Sequence, residues 1–221
     1  EFHPSHDWVL APGDMLYLPP GVPHHGIAED PCLTFSLGMR APSSAELLGD
    51  YVDALAADAP DDLRYGDADL EPPGDGWEID DAAMHRVAEA LRRLRMEDPD
   101  RFGDWFGGFI TTYRSAVQPA QDESPRPRIE VEWDLSHGAI LQRHPWSRMA
   151  WRRAHAKGAG SARLYAGGVV LPMPVSDASG LAAAGEIDGG LYDALSPQGR
   201  DAAIALLEAG HYRLVDGDEE E

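Results

Sequence analysis

The part of this chain best suited to metal chemistry is a turn rich in proline and glycine, with the sequence PPGVPHH at positions 19–25. The prolines restrict φ, and Gly21 adopts conformations that other residues resist. A stiff loop of this kind holds an imidazole in the narrow geometry that a metal ligand requires. His24 is therefore the first candidate metal ligand, and a hairpin tip with two surface histidines is the alternative. We expect His25 at the surface or beside the site.

Strand-like sequence flanks this turn. Residues 8–10, 14–18 and 32–39 predict short strands, because they are rich in apolar and β-branched residues and are separated by turn signals. In the last of these strands Thr34 and Ser36 share one face, while bulky apolar side chains share the other. The pattern predicts a barrel wall whose inner face lines a site.

Beyond residue 42 the apolar period changes from two to 3.6, which indicates helices. Ser43 or Ser44 can cap the first helix, whose apolar residues extend to position 55. Two more helices are predicted at 79–96 and 99–117. The third carries aromatic residues at helical spacing, which indicates helix packing or a dimer seam. These residues are Phe102, Trp105, Phe106, Phe109 and Tyr113.

The remaining sequence predicts a small α+β unit after a Pro-rich linker at 118–128. We expect a helix at 134–141, strands at 161–165 and 169–171, a helix over 197–209 capped by Ser196, and a final strand at 211–215. Helix, hairpin and terminal helix in this order resemble a winged-helix module.

Charge and cysteine content exclude several classes of protein. The 39 acids and 18 bases give a formal charge of −21, which repels a phosphate backbone and attracts a basic partner. Nucleic acid is therefore not expected as a direct ligand.

The single cysteine, Cys32, excludes an internal disulfide and a thiolate zinc cluster, and is expected to be a buried small hydrophobic residue. No apolar run approaches the ~20 residues of a membrane helix and no leader is evident, which predicts a cytoplasmic protein without a membrane partner.

The sequence DMLYLPPGVPH at 14–24, followed by SLGMRAP at 36–42, resembles the C-terminal half of a JmjC-type cupin domain. More narrowly, it resembles the bacterial ribosomal oxygenases, which are Fe(II)- and 2-oxoglutarate-dependent arginine hydroxylases of a large-subunit ribosomal protein. In that family a double-stranded β-helix binds iron through a His-x-Asp pair and a distant histidine, and His24 matches the distant histidine. The helical middle and winged-helix end of this chain agree with the family in order and size.

The resemblance implies roles for four further residues. Thr34 and Ser36 match inner-strand positions near the co-substrate 2-oxoglutarate, although they can equally be polar positions of a barrel wall. Ser43 and Ser44 lie where the family brings a loop near the substrate arginine, although helix capping explains them equally well. Iron, 2-oxoglutarate and O₂ are the implied cofactor and co-substrates, and the implied partners are a basic ribosomal protein and a second copy of the chain.

The implied architecture is α+β, with a partial double-stranded β-helix at residues 1–42, a helical dimerisation region at 43–118 and a winged-helix-like domain at 119–221. No His-x-Asp precedes His24, and His3 and His6 are expected to be exposed loop residues. We therefore expect the missing ligands, together with the basic residue that grips 2-oxoglutarate, to lie upstream of Glu1. The chain as given is then expected to be inactive. The other histidines are expected to be structural or exposed: His85, His137, His144, His155 and His211.

Two alternatives come from other functional classes. One is a DNA-binding regulator that fuses a cupin sensor to a winged helix, and the other is a non-catalytic cupin-like dimerisation scaffold. The DNA-binding alternative depends on a local basic cluster. Its members are Arg143, Arg148, Arg152, Arg153 and Lys157. Whether arginine or histidine is the hydroxylated residue also stays open at this stage.

Overall fold

The computed structural model describes residues 3–38, 40–66, 79–94, 98–112, 119–121, 124–155 and 160–216. It divides the chain into two compact units, Glu1–Ala41 and Pro42–Glu221. All helices and strands of the described residues belong to the second unit, which combines both types and confirms the α+β class.

The described residues of the first unit form turns but no helix or strand. In the first turn Asp14 N donates to Ala11 O at 3.0 Å, with Gly13 at φ +94°. In the second, at residues 19–22, the peptide N–H of Val22 donates to a proline carbonyl at 3.3 Å, with Gly21 at φ +79°. Proline followed by glycine with positive φ is the pattern of a type II turn. The two turns therefore form from local sequence alone.

The strands predicted at 8–10, 14–18 and 32–39 do not form among the described residues of this unit. Strands are stable only when neighbouring strands supply ladder hydrogen bonds and a second layer covers their apolar face. Neither is present among the described residues of this unit, so the large apolar side chains of these segments are exposed, including Tyr17, Leu33 and Phe35. The prediction that Cys32 is buried is wrong for the same reason.

The second unit begins with three helices, α1 (Ser44–Ala57), α2 (Asp81–Arg92) and α3 (Pro99–Thr112). Helix α1 begins at a capping box, in which Glu46 N donates to Ser43 Oγ at 3.1 Å and Ser43 N donates to the Glu46 carboxylate at 2.7 Å. All three predicted helices are confirmed. The predicted ends at 96 and 117, and Tyr113, lie outside the described residues.

In the described part of the chain, a fourth helix and nine further strands and helices follow. They are α4 (Arg128–Ser136), β1 (Ile140–Arg143), β2 (Met149–Arg153), β3 (Ser161–Ala166), β4 (Val169–Pro174), α5 (Val175–Ala183), β5 (Glu186–Ile187), α6 (Gly189–Ala194), α7 (Pro197–Glu208) and β6 (Tyr212–Val215). The strands form two antiparallel sheets in the orders β5-β1-β6 and β2-β3-β4.

The predictions at 161–165, 169–171, 197–209 and 211–215 are confirmed, whereas the helix predicted at 134–141 is wrong. Helix α4 begins earlier and ends at Ser136, because Gly138 at φ +101° turns the chain and residues 140–143 become β1. Buried side chains from both sheets and from α4, α5 and α7 form the core of the unit. Its fully buried members include Val131, Leu141, Leu164, Leu181 and Leu206.

Helix α3 packs against other elements on two sides. Its aromatic residues contact α1, where Tyr51 meets Phe102 and Trp105 at ring-centroid distances of 5.1 and 4.7 Å. Its other side faces the β2-β3-β4 sheet through Gly103 and Gly107, which lie against side chains of the sheet. The predicted packing role of the α3 aromatic residues is therefore confirmed. In the described part of the chain, no helix has the length and apolar character needed to cross a membrane.

Candidate functional site

His24 follows the second type II turn and lies on the exposed surface of the first unit. Its Nδ1 atom is 3.1 Å from the carbonyl oxygen of Val22. Because a carbonyl only accepts hydrogen bonds, this contact uses an Nδ1–H donor and leaves Nε2 outside the hydrogen bond. The ring borders an open surface depression together with Gly21, Val22, Pro23 and His25. The Val22 contact therefore occupies Nδ1 and leaves Nε2 as the nitrogen that a metal ion could use.

The resemblance implies an iron-binding histidine enclosed by a β-helix. His24 is instead exposed, because the strands that would enclose it are not formed among the described residues. His3 and His6 are exposed, as expected. Within the described ranges, no group of three His, Cys, Asp or Glu side chains could hold a metal ion. A facial iron site takes two histidines and one carboxylate. His24 fits one of these three places, and the described residues do not supply the other two.

The remaining candidate site residues are divided between the two units. Thr34 and Ser36 are exposed in the first unit, as His24 is. Ser43 and Ser44 belong to the second unit, where the Ser43 hydroxyl accepts the α1 capping hydrogen bond. The capping interpretation is therefore confirmed for Ser43, whereas Ser44 is exposed at the first position of the helix.

Three members of the basic cluster that would support DNA binding make contacts within the protein. Arg143 donates to the backbone oxygens of Leu181 and Ala182, at 3.1 and 2.7 Å, in the last turn of α5. Arg152 pairs with Asp100 of α3 at 3.6 Å. Arg153 lies over the ring of a neighbouring tryptophan, and Lys157 is outside the described residues. The contact with Asp100 pairs Arg152 with a carboxylate, whereas the contacts of Arg143 and Arg153 leave their positive charges in place.

Helix α7 carries more acidic than basic residues, and acidic residues repel a phosphate backbone. Arg200 is its only basic residue, against two acidic ones. The Arg200 guanidinium donates to the backbone oxygens of Leu195 and Asp193, at 3.2 and 2.6 Å. Two of its N–H groups are therefore used within the protein.

His211 is the one histidine that is buried among the described residues, which confirms its predicted structural role. Its Nδ1 atom is 2.9 Å from Ser147 Oγ, and the ring also hydrogen-bonds the backbone of Ala166. Burial lowers the pKa of His211, and the neighbouring His144 and Arg143 lower it further, against the opposing effect of the Ala166 contact. The neutral ring is therefore the form that fits this position.

The sequence analysis missed a pair of rings on α4. Trp133 and His137 stack with a centroid distance of 3.8 Å and an interplanar angle of 20°. Their spacing of four residues is the signal for such a pair on a helix. The sequence predicts a linker up to residue 128 and a helix only from residue 134, so Trp133 lies outside every predicted helix.

Two domain families match different parts of the chain. Residues 1–47 match the JmjC domain, and residues 93–213 match the ROXA-like winged helix. A JmjC segment joined to a winged-helix unit defines the class of ribosomal oxygenases, and the resemblance suggested by the turn at 19–25 is thereby confirmed. The second match covers more than half of the residues. The chain belongs to the ROXA-like winged-helix family.

Relatives with curated names are bacterial. The chain is 33% identical over 137 residues to the ribosomal protein uL16 3-hydroxylase of Escherichia coli, an alignment that covers 62% of this chain and 36% of that protein. It is 42% identical over 64 residues to a probable ribosomal oxygenase of Haemophilus influenzae, which covers 29% of this chain and 16% of that protein. The alignments thus span about a third or less of these relatives.

Solved structures of the E. coli ribosomal oxygenase YcfD share the fold. One matches with a TM-score of 0.63 at 24% identity, over 80% of this chain and 46% of that chain. Another, in complex with cobalt and 2-oxoglutarate, matches with a TM-score of 0.59 at 23% identity, over 79% of this chain and 47% of that chain. The chain spans about half the length of these structures.

Proposed function

We propose that this chain is part of an Fe(II)- and 2-oxoglutarate-dependent oxygenase that hydroxylates an arginine of a large-subunit ribosomal protein. The observation that carries the proposal is His24, which follows a stiff type II turn with Nε2 available for coordination, within residues that match the JmjC domain. We further propose the division into a JmjC part at 1–42, a helical region at 43–118 and a winged-helix part at 119–221.

The proposed roles of the site residues follow from their functional groups. His24 Nε2 would be one of the three protein ligands of Fe(II). The hydroxyls of Thr34 and Ser36 would donate hydrogen bonds to a carboxylate of 2-oxoglutarate. Ser44, rather than the capping residue Ser43, would contact the substrate, because its hydroxyl is not used in the α1 cap. When bound, iron with 2-oxoglutarate and O₂ supplies the oxidising power for hydroxylation of an unactivated C–H bond.

Residues 1–221 by themselves are proposed to be inactive. One imidazole does not complete a facial site of three ligands. Among the described residues, no group of three His, Cys, Asp or Glu side chains could hold the metal ion. An assay of this polypeptide alone should show no consumption of 2-oxoglutarate above the rate without protein.

The acidic composition supports a basic protein substrate. A formal charge of −21 favours encounter with a positively charged ribosomal protein through long-range attraction. The same charge opposes binding to free nucleic acid. Because ribosomes are cytoplasmic in bacteria, the proposed reaction belongs to the cytoplasm.

We propose in addition that the helical region forms a homodimer. Helix α2 begins at its cap residue Asp80 but buries none of its residues, and its apolar residues Met84, Val87 and Leu91 are exposed. An amphipathic helix with an uncovered apolar face gains stability by packing against another such face. The change Leu91→Lys should shift the protein from dimer to monomer in analytical ultracentrifugation, whereas Arg92→Lys on the charged side should leave the dimer unchanged.

Mass spectrometry of the substrate tests the proposed activity. The full-length protein that its gene encodes would be incubated with Fe(II), 2-oxoglutarate and bacterial uL16. We expect a mass gain of one oxygen atom, placed on an arginine by fragmentation, with equal consumption of 2-oxoglutarate. The His24→Ala variant should lose both signals, whereas His25→Ala should keep them. An unmodified uL16, or a modification that persists in His24→Ala, would refute the proposal, and oxygen on a histidine would refute the arginine assignment.

A further inference from the structure

The outer face of α4 carries an exposed apolar ridge, which consists of Ile129, Trp133 and His137. The side chains of Ile129 and Trp133 are 76% and 60% exposed, while the opposite face of the same helix is buried in the core. The spacing of four residues places the three on one side of the helix. The ridge therefore adds nothing to the core and lies open to a partner.

Two members of the ridge, Trp133 and His137, contact each other although the ridge is exposed. Trp133 stacks on His137, whose Nδ1 is 2.7 Å from the backbone oxygen of Trp133. The Ser136 hydroxyl donates to the same oxygen at 2.6 Å. An aromatic side chain whose rotamer is already fixed loses little conformational entropy on binding, and rigid tryptophans are the commonest anchors of protein interfaces.

Acidic side chains lie along the same helix. Glu130 and Asp134 pair with Arg126, at 3.8 and 2.7 Å, and Glu132 pairs with Arg128 at 2.7 Å. With Asp201, which also pairs with Arg128, four carboxylates share two arginines. Exposed pairs of this kind contribute little stability, and Glu132 also accepts a hydrogen bond from the Tyr192 hydroxyl at 2.9 Å. A basic side chain from a partner would find uncompensated negative charge next to an indole ring.

We propose that the α4 ridge is a docking site for an arginine-rich segment of a basic protein, with an arginine guanidinium stacked on Trp133. A guanidinium gains from both features of the site, since it stacks on aromatic rings and pairs with carboxylates. The inference rests on the proposed function only for the identity of the partner, a ribosomal protein. A second copy of this chain would bring its own α4 carboxylates against the same carboxylates, because a twofold contact joins like surfaces.

Binding of a labelled oligo-arginine peptide, and separately of purified bacterial uL16, to the 221-residue chain tests the proposal. Fluorescence anisotropy would compare wild type with Trp133→Ala and Trp133→Phe. Trp146→Ala is the matched control, because Trp146 is also exposed, at 56%, and lies outside α4. Thermal unfolding followed by circular dichroism would verify that each variant is folded.

The affinity for both ligands should fall about fivefold in Trp133→Ala, partly recover in Trp133→Phe, and stay within about twofold of wild type in Trp146→Ala. Three results would overturn the proposal: unchanged binding in Trp133→Ala, an equal loss in Trp146→Ala, or equally tight binding of a glycine-serine peptide. Self-association that depends on Trp133 would assign the ridge to a second copy and also overturn it. Because the assay measures binding and not hydroxylation, its failure leaves the proposed oxygenase function standing, and the reverse also holds.

Discussion

The close approach of α3 to the β2-β3-β4 sheet makes a strong prediction for one substitution, Gly107→Ala. A Cβ atom added at Gly107 would lie 2.5 Å from both Cδ atoms of the Tyr165 ring. That ring is 1% exposed, and its hydroxyl donates to Asp104 Oδ1 at 3.0 Å. Burial, together with this hydrogen bond, raises the pKa of Tyr165 to about 12. The ring is enclosed on one side and tethered at its end, so it cannot move away from an added methyl group.

The magnitude follows from two opposing effects. Overpacking of this kind costs about 1–3 kcal/mol, because the helix or the ring must shift. Replacement of glycine by alanine inside a helix returns about 0.5–1 kcal/mol through the lower entropy of the unfolded chain. The two ranges differ by about 0–2.5 kcal/mol, so the net expectation for Gly107→Ala is a loss of about 1 kcal/mol. The neighbouring Gly108→Ala is the matched control, because its nearest contact is the Gly168 oxygen at 3.7 Å. It should gain about 0.5–1 kcal/mol.

Equilibrium urea unfolding followed by circular dichroism would measure both free energies of unfolding. The free energy of unfolding should be below the wild-type value in Gly107→Ala and above it in Gly108→Ala. The two variants should differ from each other by about 2 kcal/mol. If both alanines stabilise the protein to the same extent, α3 is not seated on Tyr165 as described, and the close contact between the helical region and the winged-helix sheet is refuted.

Three further predictions concern stability. Arg143→Ala should lower the free energy of unfolding by about 1.5–3 kcal/mol in urea titrations, because it removes charge-assisted hydrogen bonds to the last turn of α5. Ser43→Ala should lower it by about 1 kcal/mol through loss of the α1 cap, while Ser44→Ala should be nearly neutral in the same titration. His211→Gln should reduce the loss of thermal stability that wild type shows between about pH 7.5 and about pH 5.5.

The sign of the pH effect follows from the lowered pKa of His211. Below its ordinary pKa near 6.5 the unfolded chain takes up a proton, whereas the buried ring stays neutral until the pH reaches its lower folded pKa. Stability from this group is therefore complete above the unfolded pKa and decreases as the pH falls below it. An identical pH dependence in wild type and His211→Gln would contradict this account. Equal free energies of unfolding for Ser43→Ala and Ser44→Ala would contradict the prediction for the α1 cap. An unchanged free energy of unfolding in Arg143→Ala would contradict the prediction for Arg143.

Elements with local signals were predictable from the sequence. Helix α1 has its capping box at Ser43, α7 has Ser196 at its N-cap, and β3 and β4 are joined by the glycine pair at 167–168. In each case the residues that define the element lie within a few positions of one another. Such signals do not depend on the rest of the chain, so the structure agrees with them.

Elements that depend on distant partners were not predictable. The alternating pattern at residues 32–38 is that of a strand, but alternation provides no hydrogen-bonding neighbour, and the segment is irregular in the described structure. The boundary between α4 and β1 was misplaced because the apolar pattern continues through Gly138, although the positive φ of that glycine ends the helix. Helix α5 was missed because its short, small-residue sequence has no side-chain cap.

In the candidate site, too, the local feature was predictable and the non-local feature was not. The turn that precedes His24 follows from the proline and glycine residues alone, and the structure confirms the turn. The burial of His24 required a barrel wall, which is a non-local property, and in this unit the ring is exposed. The Trp133–His137 ridge could have been found from its spacing of four residues, had the start of α4 been placed after Pro127.

The most direct test of the central claim is the binding of Co(II), as a stand-in for Fe(II), to the full-length protein that its gene encodes. Isothermal titration calorimetry in the presence of 2-oxoglutarate would compare wild type, His24→Ala and His25→Ala. The account predicts one bound metal ion in wild type and in His25→Ala, and no measurable binding in His24→Ala. Unchanged metal affinity in His24→Ala would show that this imidazole is not a ligand and would contradict the account.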